Sequence, residues 1–425
     1  MTIKMKAIKV IKIFSILIAI LCSCGCEKDD IVNRQTDDKG VVIAAPYLWK
    51  TSLHEKEPIS NSHISNPVIY NDNILVPTTN GDKSRSLSLI SSKDGKILWD
   101  WDGQFDEDSE YFDIPFHYQY ENLLTYHYGA SYCIDLDNGS TKWRHKRERS
   151  FGPRIDSFGQ YYFTYANIIN SEEFDVGIAF KGDIQTGIIS EYLTPNFTYE
   201  HLDCKRGINH IAQVPNQKNL LVVDYCENLP DWIVQPFLGL YNTDTKQWIW
   251  DRVLIREPQS PNFTYYSPII VNNKIYTWIV NTIVCHDLET GRQLWKKDFG
   301  GDFMFTGIIV EEGRVIGNCE DTYMYALNAD TGAQLWKTPT AGTGSRMSYL
   351  NGVVYMVGGS GGGRLFAIEA SSGKTLWKID AGLLGEGYGA RFRTNAVYVL
   401  PAKGNQPAKV IALSNMYAYC FEAER

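Results

Sequence analysis

The stretch Asp287-Leu288-Glu289-Thr290-Gly291-Arg292-Gln293-Leu294-Trp295 recurs in grammar as Asn328-Ala329-Asp330-Thr331-Gly332-Ala333-Gln334-Leu335-Trp336 and Glu369-Ala370-Ser371-Ser372-Gly373-Lys374-Thr375-Leu376-Trp377. Successive glycines lie 41 residues apart, and each precedes its tryptophan by four places. Gly95 with Trp99 and Gly139 with Trp143 are earlier copies. Two copies are weaker: Lys246 stands where the glycine ahead of Trp250 is expected, and Gly187 is followed at the fourth place by Glu191. The turn positions 95, 139, 187, 246, 291, 332 and 373 are thus 41 to 59 residues apart. A period of this size means a repeat architecture, so the 425 residues do not have to be divided into several domains.

The pattern describes a hairpin. Glycine takes the positive φ of a tight turn, the Asp, Asn or Thr side chain satisfies turn amides, and alternating residues carry the flanking strands. A tryptophan at a fixed offset on the outer strand can cross the seam to the next unit and bury up to about 250 Å². Upstream lie two more strands per unit, as in Ser267–Val271 and Lys274–Trp278 joined by Asn272-Asn273. Four-stranded units that cannot bury their own faces are satisfied by stacking in a ring.

After the seventh turn comes a partial unit, Ala396–Leu400 and Val410–Leu413, without an outer strand. Leu48-Trp49-Lys50 matches Leu335-Trp336-Lys337 and Leu376-Trp377-Lys378, so the N-terminal strand is expected to complete the last unit. The expected fold is all-β: an eight-bladed propeller of four-stranded antiparallel blades, with seven blades as the alternative. Its docking residues are Trp49, Trp99, Trp143, Trp250, Trp295, Trp336 and Trp377. Trp101, off this register, is expected to contribute less. Cys133 and Cys285 fall where other repeats carry Ala or Leu and are expected to fill small core slots.

These repeats resemble the pyrroloquinoline-quinone-enzyme-like propeller repeat over about residues 46–421, most strongly in the last four blades and least in blades three and four. The resemblance implies a fold more than an activity, because propellers of this type serve as enzymes, scaffolds and glycan binders. A quinoprotein dehydrogenase would be expected to carry two adjacent cysteines against its cofactor, and no Cys-Cys pair occurs here. No cofactor is therefore expected.

The first residues place Lys4, Lys6, Lys9 and Lys12 ahead of the apolar run Ile13–Cys22, the order of a secretory signal and too short a run to span a bilayer. Leu21-Cys22-Ser23-Cys24 resembles a bacterial lipobox, which implies lipidation at Cys24, with Cys26 ahead of Lys28-Asp29-Asp30 as the alternative. With the eight-fold count, this signal makes the chain similar to the propeller lipoproteins of outer-membrane assembly, which implies an outer-membrane location, surface-exposed or not. The expected division is a signal over 1–26, a flexible tether over 27–45 and one propeller over 46–425. The formal charge of −8 becomes −12 without the four lysines, a sign that disfavours nucleic acid as a partner.

Catalytic spacing is absent from the sequence. The acidic residues Asp106, Glu107, Asp108, Glu110 and Asp113 read as a solvated connection, and His117, His127, His201 and His210 show no metal-ligand spacing. Gly358-Gly359-Ser360-Gly361-Gly362-Gly363 lacks the Lys-Ser/Thr of a phosphate loop and lies between two strand patterns, so it reads as a hairpin loop. Cys204 and Cys226, in one repeat, could bridge in an oxidising compartment. What remains is the set of connections from each outer strand to the next blade, with Arg154, Tyr265, Tyr266, Arg346, Arg391 and Arg393 as candidate binding residues. Aromatic and guanidinium groups suit recognition of a protein or glycan partner. The expected function is a non-catalytic binding or scaffold lipoprotein of the envelope. The alternative is a surface glycan-processing enzyme. The lipobox predicts that the mature chain begins with a lipid-modified cysteine at position 24 or 26. Intact-mass analysis of the membrane-extracted protein checks this, and an unmodified N-terminus elsewhere contradicts it.

Overall fold

The computed structural model describes residues 32–424 apart from short segments, the larger being 54–61, 80–84, 103–111, 147–150, 170–174, 194–204, 229–233, 259–266 and 301–304. Among the described residues the strands form five four-stranded sheets, one of six strands, one of eight and one of two, and the repeat units within them are numbered as blades in chain order. Blade one runs from Ile69–Tyr70 to the outer strand Ile97–Asp102, and blade seven from Ser348–Leu350 to Thr375–Ile379. In the last unit Trp49–Ser52 pairs antiparallel with Tyr417–Glu422, setting Trp49 opposite Cys420. The chain is a β-propeller whose strand Trp49–Ser52 forms the outer strand of its C-terminal sheet.

The seams explain the repeat. The indole N–H of Trp336 donates to Ala370 O at 2.9 Å, that of Trp295 to Ala329 O at 2.9 Å, and that of Trp250 to Leu288 O at 3.0 Å. Trp143, Trp99 and Trp49 do the same to Ile184 O, Leu136 O and Ser92 O at 2.7, 2.8 and 3.0 Å. Each acceptor lies in the turn of the following blade. The turn glycine then packs flat on the same indole: a Cβ on Gly373 would stand 2.7 Å from the Trp336 ring, and one on Gly332 2.7 Å from Trp295. With φ of +75° and +69°, these positions require glycine for both backbone and space. Across the ladder the indoles face small or apolar partners, Cys133 opposite Trp143, Cys285 opposite Trp295 and Ala326 opposite Trp336. Both cysteines are fully buried.

The seam between the last and first blades joins residues more than 300 positions apart. Tyr398 donates to Leu75 O, and buried Lys409 donates to Ser92 O at 2.8 Å, the carbonyl that also receives the Trp49 indole. Trp49, Ile74, Val76, Ile90, Tyr398 and Ile411 form one apolar cluster across it.

Two sequence expectations are corrected. Trp101 is completely buried, donates to Thr141 Oγ1 at 2.8 Å and meets Tyr132 edge-on at 5.6 Å. Two residues beyond Trp99 on a strand, it points to the same face and fills the same seam more deeply. The tether expected over 27–45 is folded from residue 32 onward. Gln35–Thr36 and Val42–Ala44 form a hairpin whose turn is held by Asp37 Oδ1, which accepts from Lys39 N and Val41 N at 2.9 Å. Val42 pairs parallel with Trp377 at the edge of blade seven, and Asp380 N donates to Ile43 O at 3.1 Å. Val42, Ala44 and Ala45 are buried there, and so short an apolar run shows no periodicity in sequence. Residues 1–31, with Cys24 and Cys26, lie outside the described residues.

Replacing Trp336 or Trp101 by Ala is expected to cost about 3–5 kcal/mol each, and Leu335→Ser on the exposed face of the same outer strand less than about 0.5 kcal/mol; urea denaturation measures all three. A second expectation concerns His286, which is fully buried, with neither ring nitrogen in a full hydrogen bond. Burial holds its pKa down at about 4, against 6.5 ordinarily, with the Leu254 backbone acting weakly the other way. The unfolded chain therefore binds this proton first, and stability present above the ordinary value is lost as pH falls towards about 4, by up to about 3 kcal/mol. His286→Leu should flatten the decline between about pH 7 and about pH 5 in denaturation midpoints.

Candidate functional site

Connections from an outer strand to the next blade, and turns between the two middle strands of a blade, meet at one end of the ring. This is seen best around blade seven. Its middle hairpin joins Val353–Gly358 to Arg364–Glu369 with Gly358 opposite Arg364, the hairpin expected of the glycine run, and strands flank it on both sides. On one side, the connection from blade six touches it through a bridge between Gly344 and Gly358. On the other, the connection to blade eight is stitched on by Phe392 N donating to Gly363 O at 2.7 Å. Arg393 N donates to Leu413 O at 2.8 Å, which ties that connection to the middle turn of blade eight as well.

Three of the expected binding residues flank this hairpin. Arg346 lies on the blade-six connection and is half-buried; Arg391 is exposed and Arg393 half-buried on the other. A Cβ at Gly363, where φ is +64°, would stand 2.7 Å from Arg391 Cβ and 2.3 Å from Phe392 O, so glycine lets the connection close onto the turn. Arg154 is placed elsewhere, on the innermost strand Phe151–Phe158 of blade three. Tyr265 and Tyr266 lie outside the described residues.

The remaining candidates are distributed. His117 and His127 sit on adjacent strands of blade two, and His201 and Cys204 fall outside the described residues. His210 is buried in blade four, with Nδ1 3.4 Å from Ser267 Oγ and with Asp224 opposite it in the ladder. Asp224 is itself buried and accepts from Asn209 Nδ2 at 3.3 Å. Cys226 lies beside the same asparagine, Sγ to Oδ1 3.8 Å. Nearby, Arg252 pairs with buried Glu227, and Tyr225 donates to Asp251 Oδ1 at 2.5 Å, with burial raising the phenol pKa. Among the described residues no group of three or more His, Cys, Asp or Glu is arranged to hold a metal. No helix among them is long and apolar enough to cross a membrane.

The sequence did not reveal a polar junction beside blade seven. Trp377 has no following glycine turn to receive its indole N–H, because the outer strand of the next unit comes from the N-terminal region. Glu424 Oε1 accepts that N–H at 2.5 Å, and Arg34 pairs with the same carboxylate at 2.7 Å. Glu424 N also donates to Tyr355 Oη at 3.0 Å. A cleft lined by Arg34, Ala45, Pro46, Trp377 and Glu422 remains where a turn stands elsewhere.

The last blades also decide the family resemblance. The family described as outer membrane protein assembly factor BamB matches residues 241–377 and 320–415. The chain is a PQQ-like β-propeller similar to BamB. BamB from Moraxella catarrhalis is 14 % identical with a TM-score of 0.54, over 85 % of this chain and 94 % of that one. Sqt1 of Saccharomyces cerevisiae is 12 % identical with a TM-score of 0.60, over 89 % and 99 %. The quinohemoprotein alcohol dehydrogenase of Comamonas testosteroni is 11 % identical with a TM-score of 0.61, over 89 % of this chain and 77 % of that one. At such identities the likeness is one of fold. No curated protein matches the chain. The vicinal cysteine pair that the dehydrogenase resemblance implies is missing from the sequence, so these residues do not fit a quinone site of that kind.

Proposed function

We propose that this protein is a non-catalytic scaffold of the bacterial envelope, tethered to the outer membrane by a lipid on Cys24 or Cys26. It would bind a protein partner at the ring end where outer-strand connections and middle turns meet. The match of residues 241–415 to the BamB family carries this reading. That match falls on the blades whose connections hold Arg346, Arg391 and Arg393 around one hairpin. Guanidinium groups on a body of net charge −12 once the four signal lysines are removed form a local positive feature, suited to bidentate contact with carboxylates of a partner. Loops held on a rigid scaffold at both ends bind with little ordering cost.

The test is charge reversal. Arg391→Glu with Arg393→Glu is expected to abolish cross-linking to envelope proteins recovered with the wild type, with the melting temperature unchanged. Lys296→Glu, on the outer strand Gln293–Asp298, is expected to leave cross-linking intact. Full retention by the double variant would move the partner site to another face.

A further inference from the structure

The strap formed by residues 32–45 decides how far the ring can hang from a lipid. Val32 already packs against the apolar cluster shared by blades seven and eight, and Arg34 pairs with Glu424 at 2.7 Å. Further along, Val42 pairs with Trp377 and Ile43 O accepts from Asp380 N at 3.1 Å, which fastens the strap along the outer strand of blade seven. It also shields that strand. Leu376 is half-buried and packs against the cluster, whereas its counterpart Leu335 on blade six is 49 % exposed.

Val32 is six residues beyond Cys26 and eight beyond Cys24. A chain covers at most about 3.6 Å per residue, so a lipid on one or the other cysteine allows about 22 or about 29 Å of reach. A tether running to residue 45 would have allowed about 70 Å. Three spacings of about 4.8 Å separate the inner from the outer strand of a four-stranded blade, so the far rim lies at least about 29 Å plus the channel width beyond the near one. A ring resting on its far rim would outrun the leash.

The rim beside the strap suits a lipid surface. Leu383, on the 3-10 turn Ala381–Leu384 that packs beside Val42–Ala44, is 44 % exposed. Leu48, four residues after Ala44, is 47 % exposed. Charge does not select this rim, because Arg34, Lys39 and Lys378 are interspersed with Asp37, Asp38 and Glu422. The apolar side chains and the short leash do so together.

We propose that the strap holds the ring upright on the outer membrane, with the rim of blades seven and eight against the bilayer that carries the chain's own lipid. Leu48 and Leu383 enter the headgroup layer. This orientation rests on the lipid anchor proposed above and adds to it which part of the ring meets the membrane. Docking of 32–45 turns a slack tether into a leash, and its point of attachment selects the rim. The ring end with Arg346 and Arg391 then opens sideways, towards partners that lie in the same membrane.

The test uses the lipidated full chain on vesicles of phosphatidylethanolamine and phosphatidylglycerol that contain a headgroup spin-labelled lipid as quencher. A fluorophore is coupled through an unnatural amino acid at position 39, 383 or 249. Ile249 is an exposed residue of the outer strand Gln247–Leu254 of blade four, four blades round the ring from blade eight. Fluorescence at 39 and 383 should be lost to the quencher and that at 249 retained. An insert of about twenty Gly and Ser residues ahead of Val32, which adds a mean reach of about 25 Å, should restore fluorescence at 39 and 383. The lengthened protein should still float with the vesicles and melt like the wild type. In floating protein, equal quenching at all three positions, no quenching at any, or quenching unaffected by the insert would overturn the upright ring alone. Protein that carries no lipid and does not float would overturn the anchor, and the orientation with it.

Discussion

The ring depends on one contact repeated from blade to blade, an indole resting on the glycine turn of its neighbour and donating its N–H to a carbonyl of that turn. Neither part works alone. An indole buried without an acceptor loses a hydrogen bond, and a turn without the indole exposes an apolar flank. Because the donor is on one blade and the acceptor on the next, the interaction cannot form until two units are stacked. The positive φ of the glycine and the 2.7 Å its Cβ would leave to the ring explain why the residue must lack a side chain in these turns. A four-residue spacing in sequence is therefore the local trace of a contact between blades.

The exceptions show how the same need is met by other means. Blade three has Glu191 where the tryptophan is expected, and there a parallel contact between Val176 and Arg206 links the sheets of blades three and four. At blade seven the tryptophan is present but the next turn is not, and Glu424 supplies the acceptor, with Arg34 balancing its charge. The hairpin of residues 35–44 lies along the same blade edge, which would otherwise present unpaired backbone. An N-terminal segment thus seals the seam where the repeating chemistry is interrupted.

With the seams rigid, variation moves to the connections at one end. Around blade seven these are bonded to turns of two blades, so Arg346, Arg391 and Arg393 are displayed on backbone fixed at several points.

The repeat period, the turn glycines, the docking tryptophans and the strand that completes the last sheet were legible in the sequence, because each is a short-range pattern with a direct physical cause. Cys133 and Cys285 as core residues were legible for the same reason, since equivalent positions share a slot across the ladder. Trp101 was misjudged because a register rule counts residues, whereas alternation along the strand directs its side chain into the seam. Residues 32–45 read as tether because the five apolar residues Val41–Ala45 after a charged run carry no period, and only the edge of blade seven makes Val42–Ala44 a strand. The partners of Glu424 had no trace in sequence. They join groups hundreds of residues apart, Arg34 and Glu424, brought together only where the two ends of the chain meet at the edge of blade seven.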